Sequence, residues 1–281
     1  MVMVIRVFWV CTNKAELMAL KVVPERVDVL ISAGRFWSGR TFRVPKWVRQ
    51  PWVNWVFLDS GAQQFLTTFR KYPYTVERYS IYVRQVRPDF VATMDYPLDI
   101  TVGLRGESWK ESINRTVENA VRLIEIHERD PLPSKIVVVI QGLEPWMFLE
   151  CLDLYFEYGL KKWKYWAIGS LCMVKSISRL VHVCMLLRRR LGGDKFIHVF
   201  GPDVRTWPKI RYYVDSVDTS MWQRLRAMRF LDTGRIIPPC LNDSFKELRK
   251  VNSSKARQLS ALWFYQKYVK KIKMMNQSTL L

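Results

Sequence analysis

The feature that most restricts this chain is a repeat of short apolar runs. Eight β-branched runs recur along it, each closed by a polar residue or a glycine. They cover 3–11, 27–33, 53–58, 88–94, 135–140, 163–168, 195–200 and 211–217. Several are almost continuously hydrophobic, which suits parallel strands buried on both faces. Helical patterns lie between most of them. Segment 111–128 places Ile113, Val117, Ala120, Val121, Ile124 and Ile126 on an apolar stripe. Segment 144–158 reads as an amphipathic helix after a turn at Gly142. Segment 174–191 carries Ile177, Leu180, Val181, Cys184 and Leu187 and stops at Gly192-Gly193, a C-cap signal. Strand and helix in regular alternation imply parallel βαβ units. Eight such units predict an α/β fold, a closed (β/α)8 barrel of the TIM type. The open doubly wound sheet is the rival, and no glycine-rich phosphate loop follows any of the strands to favour it.

Three stretches depart from the repeat. Residues 34–52 are rich in Trp and Arg and have no helical period, and residues 70–87 read as an inserted basic helix. Both are expected to be insertions, after strands two and three, and long insertions at such points often carry function. After strand eight, Leu231-Asp232-Thr233-Gly234 reads as a turn and Pro238-Pro239 as a break. A helix is expected over 243–273. Its exposed face would hold Lys246, Arg249, Lys250, Lys255, Arg257, Lys267, Lys270, Lys271 and Lys273, with Trp263, Phe264, Tyr265 and Tyr268 among them. It could close the barrel, face nucleic acid, or do both. The expected division is a barrel over 1–235 and a basic, aromatic helical extension over 236–281.

Charge narrows the partners. Lys and Arg number 45 against 25 Asp and Glu, a net +20. Such a charge repels itself in a compact fold, and a polyanion relieves it. Nucleic acid is the expected partner, ahead of an anionic membrane surface. Candidate contacts are Arg35, Trp37, Arg40, Arg43, Lys46, Arg70, Lys71, Arg249 and Lys250. The rings among them suit stacked bases, and equally suit packing on the barrel rim. The five cysteines, at 11, 151, 172, 184 and 240, form no paired framework, so a reduced, cytoplasmic chain is expected. No Cys/His grouping has zinc-site spacing. His182 and Cys184 diverge around a helix and read as packing residues. No apolar run reaches transmembrane length. Arg6 interrupts the apolar N-terminus, which reads as a first strand rather than a signal peptide.

In such a barrel the active site is built from strand ends and βα loops at the C-terminal face. The residues there are Asp59, Asp95, Gln141, Gly169, Gly201 and Asp218. A carboxylate at a strand end is ordinarily a helix cap or turn former. Three carboxylates and an amide converging on one mouth say more. Gly201-Pro202 reads as turn geometry.

The order of these residues also resembles the tRNA-guanine transglycosylase superfamily. Leu58-Asp59-Ser60-Gly61-Ala62 is similar to its Asp-Ser-Gly motif. Met94-Asp95-Tyr96-Pro97 stands where that family keeps a base-reading Asp; Asp89, which opens that strand, does not match it. Ser112-Ile113-Asn114-Arg115-Thr116 resembles its Ser-x-x-Arg-Thr. Val139-Ile140-Gln141-Gly142 resembles its Val-Gln-Gly. Ala167-Ile168-Gly169-Ser170-Leu171 is similar to Ala-Ile-Gly-Gly-Leu, and Val214-Asp215-Ser216-Val217-Asp218 to Val-Asp-x-x-Asp. The six motifs keep family order from 53 to about 222. Asp-Ser-Gly-Ala, and Asp-Ser-Val-Asp followed by Trp222, stand closer to the branch that inserts 7-deazaguanines into DNA.

The resemblance implies a pentosyltransferase that exchanges guanine for a free 7-deazaguanine. Asp218 would be the nucleophile, through a covalent glycosyl-aspartate, and Asp59 the proton-transfer partner. Asp95 would read the N1–H and amino edge of guanine. The Gln141 amide or a main-chain N–H of Gly169 or Ser170 would donate to O6, Leu171 would lie nearby, and Tyr96 or Met173 would cover the ring. No cofactor is implied beyond the free base. The chain departs from the family in lacking its Cys-x-Cys-x-x-Cys plus His zinc subdomain, Cys240 standing alone. No separate RNA-binding C-terminal domain is expected. DNA is therefore favoured over tRNA as substrate. Val174-Lys175 stands where the tRNA enzymes often have Gly-Glu, and a lysine there disfavours a cationic aminomethyl base. A neutral base such as the 7-cyano form is expected. The alternatives are the same chemistry on tRNA, or a catalytically inactive nucleic-acid-binding barrel. An accessory protein or a second copy is a possible partner.

Overall fold

The structure is a computed structural model and describes residues 5–171, 176–224 and 253–277. Eight parallel strands close on themselves in sequence order: β1 (Arg6–Val10), β2 (Val27–Ser32), β3 (Val53–Asp59), β4 (Phe90–Ala92), β5 (Lys135–Ile140), β6 (Tyr165–Ile168), β7 (Phe196–Val199) and β8 (Ser216–Thr219). The seam is β1 against β8, with Phe8 beside Asp218 and Trp9 beside Thr219. The helices are α1 (Lys14–Ala19), α2 (Ala62–Phe69), α3 (Val76–Val86), α4 (Leu98–Thr101), α5 (Trp109–Arg129), α6 (Pro145–Glu157), α7 (Ile177–Leu191), α8 (Trp207–Ile210) and α9 (Met221–Arg224). After the undescribed stretch come α10 (Ser253–Phe264), a π turn (Tyr265–Val269) and α11 (Lys270–Gln277). This is the (β/α)8 arrangement. Among the described residues no helix is long and apolar enough to cross a membrane.

The strands alternate between two cores, because successive side chains point to opposite faces of a strand. One set fills the barrel axis: Phe8, Leu30, Phe57, Phe90, Ala92, Val137, Val139 and Ala167, with Trp55, Tyr165, Phe196 and Phe200 against them. The other set, including Val7, Trp9, Val56, Leu58, Val138, Ile140, Trp166 and Ile168, faces the surrounding helices. The axis is a packed core of rings. Phe8 and Phe57 meet edge to face at 5.4 Å, and Phe90 stacks on Phe196 at 5.4 Å. Such pairs add about 1 kcal/mol each to their area burial.

Seven of the eight strands fall on their expected runs, and the eighth does not. Strand β8 is Ser216–Thr219, not 211–217. Pro208 sits in the first turn of α8, and Arg211 to Tyr213 complete the turn that follows, with Tyr213 N–H donating to the Ile210 carbonyl. The aromatic run Tyr212-Tyr213 looked like a strand but belongs to that turn. Residues 70–87 are also not one helix. Pro73 and the cap Thr75, whose side chain accepts from Arg78 N–H, delay α3 to Val76. Its Tyr79, Tyr82 and Val83 are buried, so it packs as a barrel helix with arginines outside. Trp263 and Phe264 were expected on an exposed basic face. They are buried, with Phe264 against Trp9 at 5.3 Å and Trp207 at 6.1 Å. Helix α10 thus lies on α1 and α9, beside the β1–β8 seam. Lys246, Arg249 and Lys250 lie outside the described residues. Cys184 is buried and His182 exposed, as their spacing on α7 requires.

Candidate active site

The alternation that fills the barrel axis also selects the site. Asp59 follows Trp55 and Phe57 at the interior parity of β3. Gln141 follows Val137 and Val139 on β5, and Gly169 follows Tyr165 and Ala167 on β6. His198 follows Phe196 on β7, and Asp218 follows Ser216 on β8. Apart from His198, which Phe200 follows, these are the last inward positions before the C-terminal mouth, where loops replace ring packing. Asp218 lies inside β8 rather than after it, and its register neighbour is Phe8.

Asp59 is the partly exposed end of β3. Gly61 N–H donates to its Oδ2 at 3.2 Å. Gly61 has φ +86°, and a Cβ there would stand 2.5 Å from the Gly34 nitrogen. Only glycine permits the β2 and β3 loops to approach so closely. Burial raises the Asp59 carboxyl to about 6. The Ser32 hydroxyl and the main-chain N–H groups oppose that, and the charge of Asp218 adds to it.

Asp95 lies deeper and is held from two sides. Ser60 Oγ donates to its Oδ1 at 2.9 Å, and Gln141 Nε2 donates to its Oδ2. The Tyr72 hydroxyl lies 2.8 Å from Ser60 Oγ and 3.0 Å from the Asp95 carbonyl oxygen, and the Tyr74 hydroxyl donates to the Ser60 carbonyl. Burial, reinforced by the charge of Asp59, raises the Asp95 carboxyl to about 7, against the pull of Ser60 and Gln141. Gln141 Oε1 accepts from Ser170 Oγ, and Ser170 Oγ accepts from Leu98 N–H at 2.8 Å. The network therefore spans the loops after β3, β4, β5 and β6. The fully buried Gln141 amide bridges two site residues, Asp95 and Ser170. The Gly169 N–H donates to the Ile140 carbonyl at 2.9 Å and is not free for O6. A Cβ on Gly169 would stand 2.3 Å from Gln141 Nε2, which accounts for its glycine. Ser170 has φ +54°, a left-handed conformation where glycine is the unstrained residue. Leu171 is buried beside it; Met173 and Lys175 lie outside the described residues.

Tyr96 is half-buried, edge-on to Tyr72 at 5.7 Å and under Arg115 at 5.5 Å. Its N–H donates to Thr116 Oγ1 at 2.9 Å. The Ser112–Thr116 segment thus pins the loop after β4 to the first turns of α5.

Asp218 is buried, and two donors face one of its oxygens. Gly201 N–H donates to Oδ1 at 2.8 Å. His198 Nε2 lies 3.3 Å from the same atom. The expected turn at Gly201 is present, with φ +58°, and it also delivers this N–H. His198, Tyr72 and Tyr74 escaped the sequence reading.

The basic rim divides by residue type. Arg35, Arg40, Arg43, Lys46, Arg70 and Lys71 are exposed. Trp37 is half-buried and packs on Phe42 at 4.9 Å and Tyr74 at 5.3 Å, in an aromatic cluster with Tyr82. The rings of 33–52 therefore hold the rim in place and the cations face outward. Among the described residues, no group of three or more His, Cys, Asp and Glu is placed to hold a metal ion. No lysine or arginine of the described residues pairs with Asp59, Asp95 or Asp218.

No protein-family model matches the chain, and no curated protein matches it.

Proposed function

We propose that this protein is a base-exchange transglycosylase that replaces guanine in DNA with a free 7-deazaguanine. One observation carries the reading: three carboxylates share the mouth and, among the described residues, no lysine or arginine pairs with them, in a chain of net charge +20. Carboxylates buried without a counter-cation are costly, and they persist where chemistry uses them.

Their surroundings suit different tasks. Asp218, its Oδ1 held by donors, attacks the sugar C1′. The C1′–N9 bond breaks, and its electron pair leaves with guanine. Asp59, with its carboxyl raised to about 6, gives the departing base a proton. A glycosyl-aspartate ester remains. N9 of the incoming base then attacks C1′ from the vacated side, Asp218 leaves as carboxylate, and Asp59 takes up the N9 proton. Two displacements give retention, as in a retaining glycosidase. Asp95 accepts from the N1–H and amino edge, oriented by Ser60 and Gln141. Tyr96 lies beside that edge.

Several finer features belong to the same reading. The segments after β2 and β3 present Arg35, Arg40, Arg43, Lys46, Arg70 and Lys71 to phosphates. The target base leaves its stack to reach the mouth. The missing Cys-x-Cys-x-x-Cys favours DNA over tRNA, and Lys175 favours a neutral 7-cyano base. The compartment is the cytoplasm.

The test is to incubate the protein with duplex DNA, single-stranded DNA and tRNA, each with a panel of 7-deazaguanines, and to weigh the digested nucleosides. A mass-shifted deoxynucleoside that disappears in Asp218→Asn is expected. A shift in tRNA alone moves the substrate to RNA. Tight binding with no shift in any substrate would leave a binding barrel.

A further inference from the structure

The nucleophile has a buried neighbour that the reaction above does not use. His198 is fully enclosed. Its ring is packed by Phe8 of β1 at 5.7 Å, Phe57 of β3 at 4.8 Å and Phe200 at 4.6 Å. From β8 come Ser216, with Oγ 2.8 Å from Nδ1, and Asp218, with Oδ1 3.3 Å from Nε2. Asp218 is the one titratable group among these contacts. Nε2 makes no hydrogen bond of ordinary geometry among the described residues, and Asp218 Oδ1, at 3.3 Å, is the polar atom it faces.

The proton positions follow from chemistry. A bare Nε2 would oppose its lone pair to a carboxylate oxygen. A proton on Nε2, with Nδ1 accepting from the Ser216 hydroxyl, makes both contacts attractive. The ring of aromatic residues disfavours an imidazolium, and burial outweighs the pull of Asp218 in that direction. Gly201 N–H already holds the same Oδ1.

Resting on the transglycosylase reading, we infer that His198 is a positioning residue. It is a neutral Nε2–H donor, locked by Ser216, that fixes Oδ1 of Asp218 together with Gly201 and leaves Oδ2 as the oxygen that attacks C1′. His198 transfers no proton in either displacement. Its contribution is to stop the carboxylate from rotating and to steady the negative charge that returns to Asp218 when the ester is broken.

The experiment has two arms. In the kinetic arm, His198→Phe keeps the ring and removes the donor, while His198→Gln can keep an N–H near Nε2. His198→Phe is expected to lower kcat about 10- to 100-fold, the rate equivalent of losing one hydrogen bond to a charged group. KM for DNA should stay near wild type, and His198→Gln should recover most of the loss. Ser216→Ala is expected to act in the same direction more weakly, and it serves if His198→Phe does not fold. Wild-type kcat in His198→Phe, or a Gln variant as poor as the Phe variant, overturns the proposal.

The second arm needs no turnover. The chain has three histidines, so nitrogen-15 NMR of labelled imidazoles identifies His198 by its loss in His198→Gln. The ring should stay neutral with its proton on Nε2 from about pH 6 to 8, and the Nε2 signal should move in Asp218→Asn. A proton on Nδ1, or a charged ring, overturns the proposal. A wild type that exchanges no base but shows the Nε2–H signature overturns the transglycosylase reading and leaves the His198–Asp218 contact standing.

Discussion

At the N-terminal end of the barrel, Asp28, Asp89 and Asp215 each meet an arginine: Arg6 at 2.8 Å, Arg49 at 2.9 Å and Arg188 at 2.6 Å. At the C-terminal end, Asp59, Asp95 and Asp218 meet hydroxyls, an amide, main-chain N–H groups and an imidazole. Strands β4 and β8 each carry a member of both sets, while Asp28 lies on β2 and Asp59 on β3. At the first end Arg6 also lies over the Trp55 ring at 3.5 Å, and Lys135 over Trp55, Phe90 and Tyr165 at 5.0 to 5.6 Å. Charge there is neutralised and covers the aromatic core. At the mouth, no lysine or arginine of the described residues meets a carboxylate. Under the proposed reaction, the contrast separates aspartates that hold the barrel from aspartates that the chemistry uses, although all six lie near strand ends.

The comparison is broken most severely at Asp218. Asp218→Asn should lower exchange by about 10⁴-fold or more while DNA still binds, read by nucleoside mass and by a binding titration. Asp59→Asn should follow, with a loss on the order of 10²- to 10⁴-fold, since one proton carrier serves both displacements. Equal activity in either variant would place the chemistry elsewhere.

The opposite end should respond in stability. Arg188→Met leaves Asp215 buried with its Ile197 N–H but no guanidinium. Urea unfolding should show a loss of about 3 kcal/mol, with the exchange rate per folded molecule unchanged. A fall in that rate with no loss of stability would blur the division.

The smallest effect sharpens the contrast through pH. The Asp95 carboxyl is raised to about 7, above its unfolded value, by burial and the charge of Asp59. Its stabilising contribution is therefore full below the unfolded value and is lost as pH rises through about 7. Asp95→Asn should flatten the fall in melting temperature between about pH 5 and 8, a change on the order of 2 kcal/mol when the charge is shared with Asp59. An unchanged slope would mean that Asp95 is better solvated than its hydrogen bonds indicate.

Asp59, Asp95, Gln141, Gly169 and Asp218 are legible in the sequence as the polar residues that close apolar runs, because the C-terminal ends of parallel barrel strands meet at one mouth. The structure adds that Asp59, Gln141, Gly169 and Asp218 continue the inward parity of their strands. His198 obeys the same parity between Phe196 and Phe200. It was overlooked because a histidine inside an apolar run reads as core until its partner on the next strand is known. The end of β8 was misplaced because Tyr212-Tyr213-Val214 has stronger strand character than Ser-Val-Asp-Thr, and only barrel closure against β1 decides between them. Tyr72 and Tyr74 were absorbed into a supposed helix over 70–87. Their role depends on Ser60, more than ten residues away, a contact that no local pattern encodes. The rim tryptophans could have stacked on bases or on each other, and the partners Phe42 and Tyr74 of Trp37 come from separate segments.

In the proposed reaction Asp218 becomes covalently joined to the sugar. Guanine-containing DNA should be mixed with the protein without any incoming base, quenched by denaturation, and the trapped complex digested and sequenced by mass spectrometry. The account predicts a DNA-linked peptide modified at Asp218, formed as guanine is released and discharged when a 7-deazaguanine is added. Guanine release with the adduct on another residue, or exchange under conditions where no adduct forms, would contradict it.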